Sequence, residues 1–123
     1  MKPLHVSGIK SFLSRFERFS GSEIKAITIK SPSVIEIQFS VQDTGRGFDW
    51  IDIAFELSNV IDAKLVENGK LAYLDMSEGI SIIFEENKFI LSHGEYNTLQ
   101  NAKDAPLYII CESIKFKDLP FSG

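Results

Sequence analysis

The residues best suited to acid–base chemistry are Asp52 and Glu56, four positions apart in the run from Phe48 to Leu57. A general acid and a general base must flank the same bond, so their separation decides whether they act together. The run alternates. Ile51, Ile53, Phe55 and Leu57 share one parity, and Trp50, Asp52, Ala54, Glu56 and Ser58 share the other. That is the pattern of a β-strand with one buried face. At about 3.3 Å per residue the two carboxylates stand about 13 Å apart. An inverting glycosidase pair stands about 6.5–9.5 Å apart, so this strand alone makes no catalytic pair.

His5, His93 and Cys111 are the other reactive side chains. A zinc site or a Cys–His nucleophile would need all three to converge by folding, because none is paired at ligand spacing. Cys111 sits in the most apolar run of the chain, which favours a buried, unreactive thiol. Asp75-Met76-Ser77-Glu78-Gly79, with Glu86 further on, falls short of a calcium loop. Its glycine stands at the fifth position instead of the sixth, and a strand-like run follows. Gly45-Arg46-Gly47 lacks the Gly-Lys-Ser/Thr and the following helix of a phosphate loop. No catalytic residue, metal site or cofactor is expected.

The same strand is more suggestive as a contact surface. Trp50 offers a large area at low entropy cost, and Asp52 and Glu56 on its face can pair with Lys or Arg. The alternative is that Trp50 packs under a helix or loop. Arg46, at the tip of a turn that composition marks as mobile, is a further candidate. So are Glu95 and Tyr96, which with Asn97 open a long irregular segment.

The elements that must position these residues are a helix and a set of strands. Ile9, Phe12, Leu13, Phe16 and Phe19 recur at helical spacing and predict a helix over 8–19, with Ser7 as N-cap and Gly21 as stop. Period two then takes over. The spacing predicts a hairpin of 23–30 and 34–41 around Ser31-Pro32-Ser33, then the strand at 48–57. Residues 58–66 fit a helix or a strand. The strand is favoured because Asn68-Gly69 signals a hairpin into Leu71–Leu74. A further hairpin joins Ile80–Phe84 to Phe89–Ser92. After the polar segment 93–106 comes a final strand, Leu107–Phe116, apolar on both faces at its start and so covered on both sides.

The expected fold is therefore α+β. An N-terminal amphipathic helix precedes seven or eight mostly antiparallel strands in a bent sheet, a sandwich or a partly open barrel. The 123 residues suit a single domain spanning 1–123, large enough for a core without staples. The lone cysteine excludes an internal disulfide and points to a reducing compartment. With no apolar membrane span and no signal-like start, the cytoplasm is the expected location. Residues 43–95 carry four Lys/Arg against eleven Asp/Glu, an acidic middle that argues against a nucleic-acid partner. It suits a basic protein partner. The expected function is a non-catalytic protein-interaction domain. By size and charge it would be an immunity-type or accessory protein of a bacterium, binding through the acidic sheet face. The alternative is a small-molecule carrier or sensor whose ten Phe residues line a pocket. A small carboxylate-dependent enzyme stands behind both. Free sheet edges also suggest a homodimer.

Overall fold

Period-two alternation of apolar residues builds the two sheets, 47% of the molecule. A computed structural model describes residues 1–122. Among them, in chain order, are β1 (Lys2–Pro3), α1 (Ile9–Arg15), β2 (Glu23–Ser31), β3 (Val34–Asp43), β4 (Asp49–Ser58) and β5 (Asp62–Lys64). There follow β6 (Ile80–Glu85), β7 (Lys88–His93), the single turn α2 (Leu99–Ala102), β8 (Tyr108–Cys111) and β9 (Ser113–Leu119). The strands form a five-stranded sheet in the order β1-β9-β4-β3-β2 and a four-stranded sheet in the order β5-β8-β7-β6. Every pairing is antiparallel. The fold is α+β, and the two sheets are not closed into a barrel. No helix of the described residues is long and apolar enough to cross a membrane.

The two sheets share one core. Ile37, Phe39, Ile53, Phe55 and Leu57 enter it from the first sheet, and Ile80, Leu91, Ile109 and Cys111 from the second. Each such side chain contributes about 1.5–3 kcal/mol by leaving water. Phe12, Phe16 and Phe19 complete the core from the N-terminal segment. Ring centroids lie 5.7 Å apart for Phe12 and Phe55 and 5.0 Å for Phe19 and Phe39. The phenylalanines pack on one another, which weighs toward core filling as their role.

The helix is shorter than its apolar periodicity implies. α1 ends at Arg15, and Glu17, Arg18 and Phe19 follow with φ of 50°, 56° and 64°. Three successive left-handed L-residues cost about 1–2 kcal/mol each. The turn carries Phe19 into the core, where it is wholly buried. Ser7 lies in a 3-10 turn ahead of the helix, and the N-cap is Gly8, without a side-chain cap. Gly21 comes well after the helix end, and its N–H bonds the carbonyl of Met76.

Two of the three predicted hairpins form. Pro32-Ser33 turns β2 into β3, and Glu86-Asn87, both at positive φ, turns β6 into β7. A third hairpin, expected at Asn68-Gly69, does not. Residues Asn68–Tyr73 coil into a 3-10 turn, and the Asn68 side-chain oxygen accepts from the Ile27 N–H at the edge of β2. An Asn side chain can serve a distant backbone as well as its own turn, and here it does the former. The strand favoured over 58–66 is present as the three residues of β5.

The final apolar run divides at Glu112 into β8 and β9, one in each sheet. That division, with the short β1, brings the strand count to nine. The doubly covered start of the run is real. Ile109 and Cys111 face the shared core, while Ile110 joins Ile90 and Ala102 in a small outer cluster under α2.

Candidate functional site

β6 is the last strand of the four-stranded sheet, so one of its edges has no strand beside it. Glu85 and Lys88 close the two-residue turn. In that register the backbone groups of Ser81 and Ile83 point toward β7, and those of Ile80, Ile82 and Phe84 point away from it. The Ile80 carbonyl accepts from the Arg18 guanidinium at 3.4 Å. Ile82 and Phe84 are left to present donors and acceptors at the edge.

Beside that edge runs an open groove. Val6, Ile9, Lys10, Leu13, Ser14, Glu17 and Arg18 line a volume of about 730 Å³ along the side of α1 next to its phenylalanines. An adjoining hollow of about 290 Å³ shares Leu13 and Arg18, and reaches Ile82, Ile83, Glu95 and Tyr96. Val6 is 48% exposed, so the groove carries apolar surface open to water. Its end is stiff. A Cβ on Gly79 would stand 1.9 Å from the Arg18 carbonyl oxygen, so only glycine lets the left-handed turn seat against the start of β6.

Two of the residues singled out from sequence lie in this place. Glu95 pairs with Arg18 at 3.2 Å. The Tyr96 N–H donates to the Ser81 hydroxyl, which in turn donates to the Gly94 carbonyl. These bonds hold the segment 94–97 across the sheet. The groove residues of α1 went unnoticed in the sequence. Val6 stands three positions before Ile9, and a stripe of Val6, Ile9 and Leu13 beside the Phe stripe was the available signal.

The other candidates lie on or beside the five-stranded sheet, and Asp52 is not the exposed acid its parity implied. It is 1% exposed. Its carboxylate accepts from the hydroxyls of Ser40 at 2.6 Å and Ser122 at 2.7 Å, and from the Gln38 amide at 3.1 Å. Burial by itself would raise the Asp52 carboxyl, but the hydrogen bonds from Ser40, Ser122 and Gln38 outweigh it and hold it below the ordinary aspartate range. Glu56 is half-buried, faces Glu36 across β3, and shares Lys30 with it at 3.7 Å and 2.8 Å. Alternation told which face these acids occupy, but not that the chain folds back over one of them. Trp50 is 42% exposed, its ring 6.0 Å from that of Phe121.

Arg46 does not stand on a free loop. Asp43, fully buried, accepts two hydrogen bonds from Arg15 at 2.9 and 2.6 Å and one from the Gly45 N–H, and Arg46 lies 3.3 Å from it. Asp118 pairs with Arg46 at 3.2 Å. The Arg15 hydrogen bond, against the opposing effect of burial, holds Asp43 below the usual carboxylate range. The turn 43–47, mobile by composition, is thus pinned to the end of α1, where Thr44 also donates to the Arg15 carbonyl.

The reactive side chains remain apart. Burial pushes the Cys111 thiol up to about 12, which removes the thiolate a nucleophile needs. The His93 ring bonds the Asp75 carbonyl at 2.6 Å. Among the described residues no group of three His, Cys, Asp or Glu is placed to hold a metal ion. Asp75 accepts from the Ser77 N–H in a tight polar turn leading into β6. Comparison of the chain with protein-family models, with curated proteins and with solved structures finds no match in any of the three.

Proposed function

We propose that this protein is a non-catalytic interaction domain that receives an extended segment of a partner protein in the groove between α1 and β6. The observation that carries this reading is the strand β6, unpaired at one edge, joined through the hollow at Leu13 and Arg18 to the open apolar surface along α1. An added strand would gain main-chain hydrogen bonds from Ile82 and Phe84, and its alternate side chains would rest on Val6, Ile9 and Leu13. Arg18 and Glu95 flank the path with opposite charges. The net charge of −4 favours encounter with a basic partner at long range, an effect that salt would weaken.

The test is selection from a library of displayed linear peptides. Bound peptides should shift the amide resonances of Ile82 and Phe84, and Val6→Glu should cut affinity by about tenfold or more, as the loss of a buried apolar contact does. Peptides that bind while leaving those amides unmoved would sink the reading.

A second reading places the contact on the five-stranded sheet around Trp50. The half-exposed ring pair of Trp50 and Phe121 favours it.

A further inference from the structure

We propose that the outer face of the five-stranded sheet is a second docking surface, for a partner segment that presents an aromatic residue followed by serine or threonine, and that residues 120–122 occupy it in cis. Asp52 lies in the middle of that face, opposite Ser40 on β3 and Leu119 on β9. A carboxylate there would ordinarily be wet. It is 1% exposed because the chain beyond β9 turns back over it.

The contacts made by that segment are those a ligand would make. Ser122 donates its hydroxyl to the same Asp52 oxygen that accepts from Gln38, while Ser40 serves the other oxygen. With the segment lifted, Gln38 and Ser40 still aim the carboxylate, and one acceptor direction stands open for a hydroxyl. Phe121 meets Trp50 at 6.0 Å with planes inclined by 37°. Both rings stay about half exposed, at 47% and 42%, so the segment is held by the Ser122 hydroxyl and backbone on Asp52 and by one partial ring contact. Sheet, carboxylate and indole are built without it, because Asp52 sits on β4 between β3 and β9 and Trp50 sits on β4 paired with Gln42 of β3. A hold of that kind yields to a segment offering the same aromatic and hydroxyl groups with additional contacts of its own. This surface is separate from the α1–β6 groove and does not depend on it.

Trp50 is the sole tryptophan and reports directly on this face. The experiment uses the full chain, wild type and with Phe121→Ala and Ser122→Ala combined, titrated with the acetylated hexapeptide Lys-Asp-Leu-Pro-Phe-Ser and followed by Trp50 emission. The expected result is greater acrylamide quenching of Trp50 in the double variant. The hexapeptide should bind that variant at least about tenfold tighter than wild type, since the competing ring and hydroxyl are gone. Ser122→Thr, which keeps the hydroxyl, should behave as wild type. Adding Asp52→Asn to the double variant should weaken the peptide, and Val6→Glu should leave its binding unchanged. Thermal unfolding of each variant checks that it is folded. Equal quenching of wild type and double variant would overturn the proposal, as would equal binding of a peptide with alanine in place of phenylalanine.

Discussion

The outer face of the five-stranded sheet carries Gln38, Ser40 and Asp52, whereas that of the four-stranded sheet carries Ile83, Ile90 and Ile110. The chain treats the two differently. The apolar face is roofed by the segment around α2, with Ala102 wholly buried against Ile90 and Ile110. The polar face needs no roof, and it is closed locally where Phe121 and Ser122 meet Trp50 and Asp52. Roofing an apolar face has a consequence for function. The segment that crosses it, 94–97, must leave the sheet near β6, and so brings Glu95 and Tyr96 to the groove beside α1. At the groove's end the Gly79 turn is seated tightly against the Arg18 carbonyl. The closed patch on the other sheet rests on a few polar contacts and is the easier of the two to open.

The strongest way to break this contrast is at the groove wall. Gly79→Ala would force a Cβ against the Arg18 carbonyl at a left-handed position. A loss of about 3 kcal/mol is expected from the steric and conformational terms together. Urea unfolding measures it, and a loss below about 1 kcal/mol would mean that the wall gives way easily.

An intermediate effect is expected from acid. Asp52 and Asp43 both have carboxyls held below the ordinary range. A carboxylate whose folded pKa is depressed adds stability that is complete above its unfolded value of about 3.9 and is lost as pH falls through the folded value. Unfolding midpoints should therefore fall as pH drops below about 4, and Asp52→Asn should flatten that fall without abolishing it, since Asp43 remains. An unchanged acid profile in Asp52→Asn would show that its hydrogen bonds do not distinguish the folded state.

The smallest effect on stability is expected at the exposed lip of the groove. Val6→Glu should move the unfolding free energy by no more than about 0.5 kcal/mol. Its effect on peptide binding should far exceed its effect on folding. A large loss of stability would mean that Val6 serves the fold.

Much of this was legible in residue order. Strand parity placed Ile51, Ile53, Phe55 and Leu57 in the core correctly, because alternation follows from backbone geometry alone. The Glu86-Asn87 turn could be read for a similar local reason. Asn68 misled because its side chain found Ile27, a partner 41 residues away, and no local window contains that contact. Arg46 misled in the same manner. Glycine-flanked composition said mobile, but Arg15 and Asp118, distant in sequence, pin the turn through Asp43 and Arg46. For the site, Glu95 and Tyr96 were readable as members of a long connection, and the wall along α1 had its signal in Val6, three positions before Ile9.

Residue order by itself determined the α+β class and the inward side of β3 and β4, since each depends on spacing along the chain. Tertiary structure alone decided that Leu107–Phe116 divides between two sheets, that Asp52 is buried beneath Ser122, and that Ile82 and Ile83 of β6 share a hollow with Leu13 and Arg18. Those facts depend on which surfaces meet, and that is settled by the packing of segments far apart in the chain, where burial and hydrogen bonding outweigh local preference.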